Sequence, residues 1–107
     1  MSTISVETYI VHAERATEFA ALVKEFVKFK KAHPQLFKGV KSWKLCKQDY
    51  GQPAGMYVEM WEFENLAQVE ETNRRIFSDE RMKKMNAGFH KLVVPATFSA
   101  AIWSKVA

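Results

Sequence analysis

The chain has 107 residues, of which 48% are hydrophobic and 13% aromatic, and its formal net charge is +4. This length gives room for a single domain, predicted over residues 1–107, with a modest core. A lone cysteine, Cys46, excludes an intrachain disulfide, and no segment approaches the ~20 apolar residues that span a membrane. Because no leader-like segment opens the chain either, we expect a cytoplasmic protein without a membrane partner.

The first predicted element is a strand over residues 4–11, whose side chains alternate between two faces with the strand period of two. Residues 56–63 repeat the pattern, and both faces of both segments carry bulky side chains. A sheet with one face in water would be polar at nearly every second position, so we expect this sheet to be covered on both sides.

A helix is predicted after His12-Ala13 and runs to about Ala32, where His33-Pro34 ends it because the residue before proline avoids the helical region. A second strand follows over residues 40–45, and residues 49–55 form a loop by composition. The inward stripe of this helix, at helical spacing, consists of Phe19, Leu22, Val23 and Phe26.

The second helix is predicted to begin at Asn65, a good N-cap residue, with Gln68 in the capping-box position. At Ser78-Asp79 a second set of cap-like residues predicts a break and a further helical piece. Pro95 then leads into a last strand over residues 97–103. The inward side chains of the last helical piece are Met82, Met85, Phe89 and Leu92.

The element order βαββαβ predicts an α+β, ferredoxin-like fold, with four antiparallel strands in the order 4-1-3-2 and the helices on one face. The more aliphatic strand faces are predicted to meet the helices, and they carry Ile4, Val6, Thr8, Ile10, Met56, Val58 and Met60. The opposite faces, with Tyr9, Val11, Tyr57, Trp61 and Phe63, would be bare in a monomer. We therefore expect a homodimer that packs sheet on sheet.

The sequence also carries short segments that link it to known proteins. These are Val6–Tyr9, Glu18-Phe19, Met60–Phe63 running into Asn65–Ala67, and the Ser78-Asp79 break followed by Met82 and Lys83. Over nearly its whole length the chain resembles the dimeric α+β barrel superfamily, which includes antibiotic-biosynthesis monooxygenases, haem-degrading monooxygenases and NIPSNAP proteins. The resemblance implies a homodimeric barrel with a pocket between sheet and helices in each subunit.

The resemblance does not extend to the haem-degrading members. Where those proteins have an asparagine, a tryptophan and a histidine ligand, this chain has Val6 or Glu7, Arg75 and about Met85. The three histidines lie on separate elements without ligand spacing, and the four glycines form no phosphate loop. We therefore expect neither a metal nor any other cofactor that leaves a motif.

Aromatic and methionine side chains are the candidates for a ligand site, because methionine adapts to irregular apolar ligands. The same residues are also ordinary core positions, which is the alternative reading. With a lysine or histidine at its mouth, such a pocket would suit a small hydrophobic, anionic molecule. The residues expected to bind it are Tyr9, Phe26, Trp43, Met60, Trp61, Met85, Phe89 and His90.

Two glutamates are a sharper feature of the central strands. Glu7 and Glu59 are expected to be cross-strand neighbours, and two nearby carboxylates in an apolar setting can raise one pKa into the range of a general base. The alternatives are pairing with lysines across the dimer or exposure to water. Because the predicted faces point both glutamates away from the helices, they are not assigned a catalytic role.

A lysine-rich stretch lies between Phe26 and Gln48, which contains seven lysines and no acidic residue. It could meet an anion, but lysines also protect an edge strand against aggregation. Arginine forks and aromatic RNA-binding signatures are missing there, so no nucleic-acid partner is expected. The leading expectation is a cofactor-free monooxygenase-like enzyme, and the alternative is a non-catalytic, ligand-binding or stress-related dimer.

Overall fold

The computed structural model describes residues 2–107 and has the predicted element order. The strands are β1 (Thr3–Ile10), β2 (Val40–Lys47), β3 (Met56–Phe63) and β4 (Ser99–Ser104). A short 3₁₀ helix (Ala13–Arg15) precedes α1 (Ala16–Ala32), and the second helical segment is split into α2 (Leu66–Ser78) and α3 (Glu80–Leu92). The antiparallel sheet has the order β2-β3-β1-β4, which is the predicted order read from the other edge.

Both predicted helix starts in the second half of the chain are confirmed. The Asn65 side chain accepts a hydrogen bond from the Gln68 backbone N–H at 3.0 Å, which caps α2. The Asp79 carboxylate accepts from the backbone N–H groups of Arg81 and Met82, which caps α3. The hydrogen bond from the Arg81 guanidinium also lowers the pKa of Asp79 to about 2. Local capping therefore explains the break between the two helices.

The predicted assignment of sheet faces is wrong. Tyr9 is 1% exposed and packs against Phe19 of α1 and Phe89 of α3, so its face is the one that meets the helices. Phe26 of α1 likewise packs on Trp61 of β3. Hydrophobicity could not choose between the faces because both are bulky, whereas the aromatic rings are long enough to fill the space beneath the helices.

The aliphatic side chains consequently lie on the outer face of the sheet, away from the helices. Val6 pairs with Met60 on one side and with Ala101 on the other, and these three residues share that face. Trp103, which is opposite Ile4, is 56% exposed. This outer face is defined by Ile4, Val6, Thr8, Ile10, Met56, Val58, Met60 and Trp103.

Strand β2 forms one edge of the sheet, and it carries Lys41, Lys44 and Lys47. This placement confirms that some of the lysine-rich stretch belongs to an edge strand, where charge discourages pairing with another chain. Among residues 2–107, no helix combines the length and apolar character that crossing a membrane requires.

Candidate functional site

A cavity of about 330 Å³ lies between the helix-facing side of the sheet and the three helices. Its volume is in the range of small-molecule sites. Strands β1, β2 and β3 form its floor, and α1 and α3 form much of its walls. Phe77 of α2 and Phe98, which directly precedes β4, also line it. The cavity therefore lies where the resemblance placed a pocket.

Seven of the eight residues predicted to bind a ligand line this cavity. They are Tyr9, Phe26, Trp43, Trp61, Met85, Phe89 and His90. Met60 does not line it, because it pairs with Val6 on the outer face, and the error follows from the reversed face assignment. The part of the other seven in ligand binding stays a prediction.

The polar groups on the cavity floor are those that the sequence-based interpretation set aside. Glu7 of β1 lies directly opposite Glu59 of β3 in the strand register, which confirms them as cross-strand neighbours. Both line the cavity. The predicted orientation away from the helices is therefore wrong, again because the two faces were exchanged.

Glu59 is held by two aromatic donors. Its Oε2 accepts a hydrogen bond from the Tyr9 hydroxyl at 2.7 Å, and its Oε1 accepts one from Trp43 Nε1 at 3.0 Å. Burial and the neighbouring Glu59 carboxylate raise the pKa of Tyr9, so this phenol keeps its proton and remains a donor. These two bonds fix the carboxylate plane and stabilise its negative charge.

The surroundings of Glu7 raise the pKa of its carboxyl group. Burial, followed by the charge of Glu59, raises its pKa from the ordinary 4.5 to about 7, although the Trp61 side chain acts in the other direction as a hydrogen-bond donor. Near neutral pH this group is therefore divided between its acid and its carboxylate. A side chain with this property at the floor of a cavity can accept a proton and return it.

The wall of the cavity adds polar groups to its apolar surface. Asn73 of α2 and Asn86 of α3 contribute amides, and His90 lies at the end of α3 against Phe89 and Phe98. No lysine or arginine is in the lining, within the part of the chain that the structure describes. Lys30 does lie over the Trp43 ring, with Nζ at 5.6 Å from the ring centroid, but it does not line the cavity.

Residues 2–107 contain no group of three or more histidine, cysteine, aspartate or glutamate side chains arranged to hold a metal ion. The expected absence of a cofactor stays a prediction. What the arrangement can do chemically is bind an apolar molecule and exchange a proton with it.

Comparison with known proteins supports the fold. No protein-family model and no curated protein sequence matches the chain. Among solved structures, a NIPSNAP family protein from Agrobacterium tumefaciens is similar with a TM-score of 0.77 at 17% identity, over 98% of this chain and 86% of that one. A NIPSNAP-like domain protein from Burkholderia xenovorans gives a TM-score of 0.73 at 17% identity, over 98% and 85% of the two chains.

A candidate antibiotic biosynthesis monooxygenase from Caulobacter crescentus is similar with a TM-score of 0.74 at 14% identity, over 99% of this chain and 91% of that one. The structural neighbours are thus of the kinds named by the sequence resemblance. At these identities they show the shared ferredoxin-like α+β fold.

Proposed function

We propose that the protein binds a small, mainly aromatic molecule in the cavity and acts on it as a cofactor-free monooxygenase-like enzyme, with Glu7 as the base. The observation that carries this proposal is the pairing of Glu7 with Glu59 on the floor of an aromatic cavity. The name of the Caulobacter crescentus neighbour points to the same class of reaction. The proposal includes a homodimer formed through the outer face of the sheet.

In this reaction the substrate supplies the electrons and dioxygen is the oxidant. The Glu7 carboxylate removes a proton from an acidic methylene group, and the resulting carbanion reduces dioxygen as a carbon–oxygen bond forms. The peroxide takes a proton back from Glu7, a second C–H proton is lost as the O–O bond breaks, and water leaves. The balance is R₂CH₂ + O₂ → R₂C=O + H₂O, so no added reductant is needed.

The residues around Glu7 have defined parts in this scheme. Burial keeps Glu7 basic, and the negative charge of Glu59, which is held by Tyr9 and Trp43, adds to this effect. The aromatic walls exclude water and orient a flat substrate above the carboxylates. The apolar lining supports a hydrophobic ligand, but the missing lysine and arginine do not support the anionic ligand expected from the sequence.

The test measures oxygen consumption with anthrone, an aromatic ketone that has an acidic methylene group. We expect turnover above the spontaneous rate, a loss of at least about a hundredfold in Glu7→Gln because general-base catalysis contributes on that order, and no loss in Glu70→Gln. Glu70 is the matched control because it lies at an exposed position of α2, outside the cavity lining and away from the outer face of the sheet. The variants His90→Ala and Trp61→Phe then test whether these two residues of the cavity wall contribute to turnover.

If wild-type protein binds anthrone, as read from tryptophan fluorescence, but consumes no oxygen, the enzyme proposal is wrong. The non-catalytic ligand-binding alternative is then favoured. If Glu7→Gln retains full turnover, Glu7 is not the base.

A further inference from the structure

The two carboxylates of the cavity have no positively charged partner in the described chain. The ion pairs formed within residues 2–107 involve other acidic residues, and neither Glu7 nor Glu59 takes part in one. The donors to Glu59 are the neutral side chains of Tyr9 and Trp43. An apolar cavity therefore carries uncompensated negative charge, and any ligand placed there meets that charge at close range.

The aromatic walls around these carboxylates also favour a positively charged ligand. The rings of Tyr9, Phe26, Trp43, Trp61 and Phe89 all line the cavity. Aromatic faces carry partial negative charge and attract organic cations, most strongly where water is excluded. Carboxylates on the floor and aromatic rings on the walls thus favour the same kind of ligand, although they are independent features of the lining.

We infer that the ligand of this cavity carries a positive charge on a small apolar body, as in a hydrophobic amine or a quaternary ammonium compound. The inference rests on the proposed function only in taking this cavity as the ligand site. A cationic group would replace the missing partner of Glu7 and Glu59. It would also stabilise a carbanion formed next to it, which is consistent with the proposed proton removal.

The inference predicts a sign for the pH dependence of binding. The titratable groups facing the cavity with Glu7 are Tyr9 on the same strand, Glu59 on β3 and His90 on α3, whereas α1, α2, β2 and β4 contribute none to the lining. A bound cation favours the ionised form of Glu7. The affinity of the cavity for a cation must therefore rise between about pH 6 and pH 8, and binding of the cation must release a proton from Glu7. The affinity of the cavity for an anion must fall over the same range.

The experiment compares three probes that differ in charge. Benzyltrimethylammonium is the cation, neopentylbenzene is its uncharged carbon isostere, and 3-phenylpropionate is an anion of similar size. Binding to the full chain is measured by tryptophan fluorescence at pH 6 and pH 8. At pH 8 we expect the cation to bind at least about tenfold more tightly than the isostere, a difference of about 1.4 kcal/mol.

Substitutions identify which residues cause the preference for a cation and its pH dependence. Glu7→Gln is expected to weaken cation binding about tenfold at pH 8 and to abolish its pH dependence, because the amide is neutral at both pH values. Glu70→Gln, at an exposed position of α2 outside the cavity lining, is expected to change neither. His90→Gln is expected to keep the pH dependence. If the dependence persists in Glu7→Gln and vanishes in His90→Gln, the assignment to the carboxylates is wrong.

The remaining outcomes separate this inference from the proposed function. If neopentylbenzene binds as tightly as the cation, or 3-phenylpropionate binds more tightly, the inferred charge is wrong while the cavity remains a ligand site. If none of the three probes binds while anthrone does, the inference is wrong and the proposed function is unaffected. If anthrone also fails to bind, the ligand-binding part of the proposed function is wrong as well.

Discussion

Glu7 lies directly opposite Glu59 across the β1–β3 ladder, and both carboxylates open into the cavity beneath the helices. Two like charges in such positions destabilise the folded state whenever both are ionised. The pair is therefore a feature that folding alone does not favour. Its position at the floor of an aromatic cavity is consistent with a part in binding or chemistry.

The first prediction concerns the pH dependence of stability. Because the pKa of Glu7 rises from 4.5 to about 7 on folding, the folded chain binds a proton that the unfolded chain has released, between about pH 4.5 and pH 7. The free energy of unfolding must therefore fall as the pH rises through this window. The loss is at most about 3 kcal/mol, from the size of the shift.

Glu7→Gln removes this dependence and should make the protein more stable than wild type at pH 8, by up to the same amount of about 3 kcal/mol. At pH 4.5 the two proteins should be nearly equal. Urea denaturation at the two pH values measures the effect, with Glu70→Gln, at an exposed position of α2, as the control. Equal pH slopes for wild type and Glu7→Gln would contradict the raised pKa.

The second prediction concerns the donor to Glu59. Tyr9→Phe keeps the buried ring but removes the hydroxyl that donates to Glu59 Oε2 at 2.7 Å. A hydrogen bond to a charged group contributes about 1.5–3 kcal/mol, and we expect a loss of stability of that size at pH 8. Tyr50→Phe is the matched control, because Tyr50 is 93% exposed. Equal stability of the two variants would show that the Tyr9 hydroxyl contributes nothing.

The ends of the helices could be predicted from the sequence because they depend on local signals. The strand order follows from the element order βαββαβ, and the Glu7–Glu59 neighbourhood follows from that strand order. Asn65 and Asp79 are capping residues, and the two central strands have a period of two. The face that meets the helices could not be predicted. Choosing it requires knowing that the Tyr9 ring packs against Phe19 and Phe89, contacts that depend on the complete fold.

That error also decided how the site was interpreted. A glutamate within an apolar strand is ordinarily read as facing water or a partner, because burying a charge is costly. The sequence did contain a signal against this reading. Glu7 and Tyr9 share one face of their strand, as Glu59 and Trp61 share one face of theirs, so polar and aromatic groups that suit a site occurred together.

The third prediction uses two glycines that differ in backbone conformation. Gly39 has a φ of +101°, and an added Cβ would lie 2.9 Å from both Gln68 Oε1 and Thr72 Oγ1. Thr72 is fully buried and donates to the Lys38 carbonyl at 3.1 Å, so it has little freedom to move. We expect Gly39→Ala to destabilise the protein by at least about 1 kcal/mol.

Gly88→Ala is a control for which we expect the opposite change in stability. Gly88 lies within α3, and nothing is within 4 Å of the position of an added Cβ. Gly88→Ala should therefore stabilise the protein by about 0.5–1 kcal/mol. Thermal unfolding of both variants measures the difference. A Gly39→Ala protein as stable as Gly88→Ala would show that the junction between β2 and α2 tolerates a side chain.

The last prediction tests the proposed homodimer through the outer face of the sheet. Met60 lies on that face together with Trp103, which is 56% exposed, and an apolar surface of this kind is suited to an isologous contact between two copies. Met60→Lys would place a charge within the contact, where desolvation makes it costly. We expect wild type to behave as a dimer and Met60→Lys as a folded monomer in size-exclusion chromatography with light scattering.

Glu25→Lys, on an exposed position of α1, is the control and should remain dimeric. A monomeric wild type would contradict the proposed assembly, and a dimeric Met60→Lys would place the contact elsewhere on the molecule.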